Sequence, residues 1–97
     1  MTEVTIKLYS VPREVVGKSS LVMKVPDGSL VKDVLRRLIH QFKEGFEERY
    51  RLVEKDNNIV SYFLVFINST PVSHLKGLET PVEEGDVLDI LEPVSGG

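Results

Sequence analysis

The longest stretch of helical periodicity is SLVKDVLRRLIHQF, residues 29–42. Leu30, Val31, Val34, Leu35, Leu38, Ile39 and Phe42 recur at intervals of three and four, while Lys32, Asp33, Arg36, Arg37 and Gln41 fall mainly on the opposite side. A helix of this kind must bury one stripe. The segments around it have a different character. VTIKLY (4–9) and LVMKV (21–25) precede it, and IVSYFLVFI (59–67) and VLDIL (87–91) follow, all rich in β-branched, aliphatic or aromatic residues. One main amphipathic helix between strand pairs predicts an α+β domain, a small mixed sheet of four to five strands packed on that helix. The first two strands are expected to run antiparallel. With a right-handed crossover, the first and last strands become a parallel central pair. A chain of 97 residues has room for one such domain.

Local punctuation divides the remainder. Pro26-Asp27-Gly28 stops the second strand, and Ser29 is a good N-cap for the helix. SVPREVVGKSS (10–20) carries Pro12, Gly17 and serines at its end, which predicts a turn or loop. Gly45 is expected to end or break the main helix. FEERYRLVEKDNN (46–58) predicts a short helix and then a turn at Asp56-Asn57-Asn58. IVSYFLVFI is almost continuously apolar, so it reads as an interior strand with both faces at least partly covered. Asn68 to Pro71 form a turn, 72–78 a connector, and TPVEEGD (80–86) a loop around Pro81 and Gly85. Pro93 cannot donate to a ladder, so a flexible tail, 93–97, is expected to run free of a domain spanning 1–92.

Composition removes several classes of function. The chain has no cysteine, which excludes a disulfide framework, a thiolate zinc site and a cysteine nucleophile. A net charge of −3, with Lys and Arg mixed among the acids, argues against nucleic acid as the partner. No apolar run approaches the roughly 20 residues needed to span a bilayer. The start, MTEVTIKLYS, lacks a basic leader and a long apolar stretch, so a cytoplasmic location is expected.

Short motifs give little chemistry. VVGKSS (15–20) contains the GKS of a phosphate loop, but Pro12 stands where the first glycine is required and a strand follows in place of a helix. NST (68–70) matches a glycosylation acceptor, yet without a secretory signal it reads as turn chemistry. His40 and His74 are far apart and lack neighbouring ligands, so no metal site is expected. Glu47-Glu48 and Glu83-Glu84 could serve acid/base work only if burial split their pKa values, and adjacent glutamates near Gly and Pro are normally solvated.

The tail is different. Gly96-Gly97 is a slim end whose functional group is the α-carboxylate of Gly97, able to thread a channel where any Cβ would clash. Fraying explains a mobile terminus but not a sterically minimal one. Alternation supplies a candidate docking surface. Leu88 and Ile90 should face the helix, with Asp89 and Leu91 outward; Phe63, Val65 and Ile67 should point in, with Leu64 and Phe66 outward. An outer patch of Leu64, Phe66 and Leu91 suits a partner interface. A slip of one residue would reverse every assignment.

GLETPVEEGDVLDILEPVSGG (77–97) resembles the end of the ubiquitin-like sulfur carriers, the MoaD/ThiS group, and in particular the small subunit of molybdopterin synthase. Thr80-Pro81-Val82, Gly85-Asp86 and Pro93-Val94-Ser95-Gly96-Gly97 carry the likeness. KLYSVPREVVGK (7–18), through Tyr9, Arg13-Glu14 and Gly17, PDGSLVKDVLRRL (26–38) and FINSTPV (66–72), at Asn68, extend it over nearly the whole chain. Glu92 departs from the pattern, where the family often has a second proline. The resemblance implies a ubiquitin-like β-grasp fold and a sulfur-carrying role. An E1-like partner would use ATP and Mg to adenylate Gly97, and a persulfide on another protein would deliver sulfur, leaving a C-terminal thiocarboxylate. The large subunit of molybdopterin synthase would receive the tail, with Pro93, Val94 and Ser95 along the contact and Gly96 and Gly97 at the reaction. There the sulfur would enter a pterin precursor of a molybdenum or tungsten cofactor. The chain itself would bind no cofactor. Alternative readings are a carrier for tRNA thiolation or thiamine synthesis, an archaeal-type protein modifier joined through Gly97 to lysine, and a β-grasp interaction module without activation.

Overall fold

Alternation along Thr2–Leu8 builds the first strand, β1: Val4, Ile6 and Leu8 are buried, and Glu3 and Lys7 are exposed. The computed structural model describes residues 1–50 and 62–92. β2 (Ser20–Val25) lies antiparallel to β1, with Thr2 opposite Val25 and Ile6 opposite Leu21. On the other side of β1 runs β5 (Val87–Leu91), parallel, with Ile6 opposite Leu88 and Leu8 opposite Ile90. β3 (Leu64–Ile67) is antiparallel to β5, and the two-residue β4 (Thr70–Pro71) closes the edge. The order is β2-β1-β5-β3-β4, so the expected parallel central pair is present.

The main helix, α2, spans Val31–Gln41. Val31, Val34, Leu35 and Leu38 are at most 1% exposed and meet the inward residues of the sheet in one core. Full burial of each such side chain is worth about 1.5–3 kcal/mol. Ser29 is not its cap. Ser29 Oγ donates to the Pro26 carbonyl at 2.6 Å and closes the preceding turn, while Leu30 holds the cap position and its N–H donates to Asp33 Oδ2 at 2.8 Å. The acid three residues on thus satisfies the helix entry in the manner of half a capping box.

Residues 10–20 are not a loop throughout, because Ser10–Val16 form a helix, α1. Pro12 sits in its first turn, where backbone N–H groups have no intrahelical partner to lose. Gly17 ends it in the left-handed conformation (φ 84°), its N–H donating to the Arg13 carbonyl at 2.8 Å. The two residues that signal a loop are here a helix start and a helix stop, and Pro12 and Val16 are buried beneath them.

Gly45 also departs from expectation. α2 gives way at Phe42, and Gly45 lies inside the next helix, α3 (Lys43–Tyr50). A Cβ on Gly45 would stand 2.7 Å from Val15 Cγ1, so the glycine lets α3 approach α1. Phe46, 1% exposed, secures α3 to the core. The expected turn at Asp56-Asn57-Asn58 and the first residues of the 59–67 run, 59–61, lie outside the described residues.

β3 is shorter and less enclosed than its apolar run predicts. Its inward residues Val65 and Ile67 are buried, but Leu64 is 47% exposed and Phe66 half-buried. Asn68 (φ 49°) and Ser69 (φ 75°) make the left-handed pair that a two-residue hairpin requires. Asn68 Oδ1 accepts from the Val87 N–H at 3.0 Å and its Nδ2 donates to Asp86 Oδ1 at 2.9 Å, tying the hairpin to the start of β5. The connector after it holds two short 3-10 turns, Val72–His74 and Gly77–Glu79.

Candidate functional site at the end of the last strand

β5 carries the chain out of the sheet, and its final ladder pair is Leu91 opposite Leu64. Both side chains belong to the outward set, because their neighbours Ile90 and Val65 are buried. Phe66, two residues along β3, sits diagonally from Leu91 on the same face and opposite Asp89. Leu64, Phe66 and Leu91 therefore form one outward apolar group. Beside it a shallow groove of about 200 Å³ runs past Pro71, Val72 and Leu78. Asp89 bounds the group on the β1 side. It accepts from the Tyr9 hydroxyl at 3.1 Å, and this bond pushes the Tyr9 phenol above its ordinary value.

One residue beyond the last ladder pair, Glu92 is held by a helix. The Tyr50 hydroxyl donates to Glu92 Oε2 at 2.9 Å. Tyr50 belongs to an aromatic cluster: its ring stacks at 6.0 Å on Phe46 and meets Phe63 and Tyr62 edge-on at 5.4 and 5.5 Å. Burial first, and then the Glu92 hydrogen bond and charge, raise its phenol well above the ordinary value. Sequence spacing offers no signal for this contact, since the partners are 42 residues apart on different elements.

Pro93, Val94, Ser95, Gly96 and Gly97 lie outside the described residues. Gly17 of the GKS sequence is a helix cap, with β2 following, which is no phosphate cradle. Among the described residues no three His, Cys, Asp or Glu side chains group as metal ligands, and no helix is long and apolar enough to cross a membrane. What the arrangement offers chemically is a strand end beside an apolar surface, with its last described residue hydrogen-bonded to a helix.

The sequence model of the ThiS family matches residues 6–97. Over 95 residues the chain is 35% identical to small archaeal modifier protein 3 of Haloferax volcanii, covering 98% of this chain and 99% of that protein. The solution structure of small archaeal modifier protein 1 from Methanosarcina acetivorans is similar with a TM-score of 0.76 and 33% identity, over 100% of this chain and 98% of that one. A chain in the crystal structure of the BexX/CysO complex from Amycolatopsis orientalis is similar with a TM-score of 0.65 and 26% identity, over 97% and 99%.

Proposed function

Since this chain belongs to the ThiS family and has the ubiquitin-like β-grasp fold, we propose that it is a sulfur carrier whose reactive group is the α-carboxylate of Gly97. A carboxylate is a poor acyl donor. Its oxygen attacks the α-phosphate of MgATP on an E1-like partner, pyrophosphate leaves, and the acyl adenylate has an electrophilic carbonyl. The terminal sulfur of a partner persulfide attacks that carbonyl and expels AMP. Cleavage of the resulting S–S bond by a thiol frees the thiocarboxylate. No cysteine of this chain is needed, and ATP and Mg belong to the activating enzyme.

The observation that carries this reading is the position of the strand end. β5 lies at the centre of the sheet and ends at the outward Leu64–Leu91 pair, and a single residue, Glu92, separates it in sequence from Pro93–Gly97. An apolar surface at the root of the tail can dock a partner while Pro93, Val94 and Ser95 lead Gly96 and Gly97 into its channel. The acceptor in this reading is a molybdopterin synthase large subunit, where the thiocarboxylate supplies sulfur to a pterin precursor in the cytoplasm.

A second reading is favoured by the likeness to a small archaeal modifier protein over almost the whole of both chains. In it a lysine amine attacks the same activated Gly97 carbonyl, and an isopeptide bond forms.

High-resolution mass spectrometry of the natively purified protein separates the two. Replacement of one oxygen by sulfur at Gly97 is the expected result. A plain carboxylate together with lysines of other proteins bearing this chain's C-terminal tryptic peptide, residues 77–97, through Gly97 would replace the carrier reading by the modifier reading. Detection of neither product would overturn activation of the tail.

A further inference from the structure

We propose that Tyr50 is a positioning residue for the C-terminal tail: its hydroxyl, fixed by the aromatic cluster, holds the Glu92 carboxylate and so sets the direction in which the chain leaves the sheet. The ladder alone does not do this. Pairing of β1 with β5 ends at Leu8–Ile90, and pairing of β3 with β5 ends at Leu64–Leu91. Glu92 lies past both. The bond from Tyr50 is made there, and it crosses from α3 to the strand end.

The Tyr50 ring is well placed for this task. Phe46, on which it stacks, is 1% exposed, and Phe63, against its edge, is 7% exposed. Both belong to the core. The hydroxyl is therefore carried on a ring whose position the core determines, and a bond to a carboxylate is stronger than one between neutral groups. Burial and the Glu92 charge both oppose phenol ionisation, so the hydroxyl stays a donor at neutral pH. A tail whose preceding residue is already oriented has less conformational freedom to lose when a partner engages it. The consequence for activation rests on the proposed function; the positioning itself does not.

The experiment compares the full-length protein with Tyr50→Phe, which keeps the ring and removes the bond, and with Glu92→Gln, which keeps an acceptor oxygen. The first readout needs no enzyme: the heteronuclear NOE at the Glu92 amide. Tyr50→Phe lowers it, Glu92→Gln retains most of it, and Phe46 stays rigid in each variant. An unchanged value at Glu92 in Tyr50→Phe would overturn the proposal. The second readout is ATP–pyrophosphate exchange by an E1-like adenylating enzyme. Tyr50→Phe raises KM for the carrier about three- to tenfold with kcat retained, the scale of one hydrogen bond. Wild-type exchange with an unaltered KM in Tyr50→Phe would also overturn it. Absence of exchange in the wild type would count against the proposed function instead, leaving the amide measurement to decide the positioning role.

Discussion

Leu64 and Leu91 face each other across the β3–β5 ladder, on the side of the sheet away from the buried Val65–Ile90 pair. Leu64 contributes little to the core, being 47% exposed. Changing it to Asp is expected to alter stability by no more than about 0.5 kcal/mol, as for an ordinary surface site. If the pair is the centre of a docking surface, the same change weakens binding to the activating enzyme by about tenfold or more. Calorimetric titration against that enzyme, with thermal unfolding as the control, measures both. Unchanged affinity would remove the patch from the interface.

Gly97→Ala adds one methyl group at the end of the chain. If the proposed function holds and the partner's channel admits only an end without Cβ, the change is expected to leave the unfolding midpoint unchanged while abolishing adenylation. Single-turnover formation of the acyl adenylate, followed by mass spectrometry, reads the result. Normal sulfur loading of the variant would refute the threading mechanism.

Gly45→Ala tests how closely the helices approach. The new Cβ meets Val15 Cγ1 at 2.7 Å, and valine is stiff about χ1. Overpacking costs about 1–3 kcal/mol, against which alanine recovers about 0.5–1 kcal/mol of helix propensity. A net loss of about 1–2 kcal/mol is expected in chemical denaturation. In a Val15→Ala background the cost of Gly45→Ala should largely vanish. Equal costs in the two backgrounds would show that the clash is relieved elsewhere.

Alkaline titration reports on Tyr50. Its folded-state pKa is raised, by burial and then by Glu92, above the unfolded value of about 10. The folded state therefore keeps a proton that the unfolded state gives up. The resulting stability is fully present below pH of about 10 and is lost as pH rises through the folded-state value. Tyr50→Phe should therefore remove phenolate absorbance only from the alkaline end of the curve. Removal of a step near pH 10 would contradict the assignment.

Asn68→Ala and Asn68→Gly separate backbone from side chain. Alanine loses both hydrogen bonds and must also adopt φ near 49°, whereas glycine loses only the bonds. Urea unfolding should place alanine about 1–2 kcal/mol below glycine, on the scale of left-handed strain for a residue with Cβ. The reverse order would mean that the turn rearranges.

The stripe of α2 and the inward sets of β3 and β5 were legible because each rests on a period that burial enforces over several residues, and the parallel β1–β5 pair because a right-handed crossover leaves the first and last strands side by side. Single residues were harder. Pro12 and Gly17 signal a loop or the two ends of a short helix equally well, and burial of Val16 between them decides for the helix. Gly45 reads as a breaker by propensity, yet its role is set by Val15, thirty positions away, which no local pattern contains. Ser29 has the chemistry of a cap, but the Pro26 carbonyl competes for its hydroxyl. The outward patch follows from alternation once the register is known. The Tyr50–Glu92 contact depends on how α3 lies against the strand end, and only the three-dimensional packing supplies that.

Of the strands described, β5 is the last to be synthesised, yet it occupies the middle of the sheet between β1 and β3. Until it inserts, neither half of the sheet is joined to the other, and the Leu64–Leu91 surface does not exist. An activating enzyme that docks on that surface would thus select finished molecules over nascent or misfolded ones. Under the proposed function, the location of one strand would make completion of folding a condition for chemistry at the tail, with no separate inspection step.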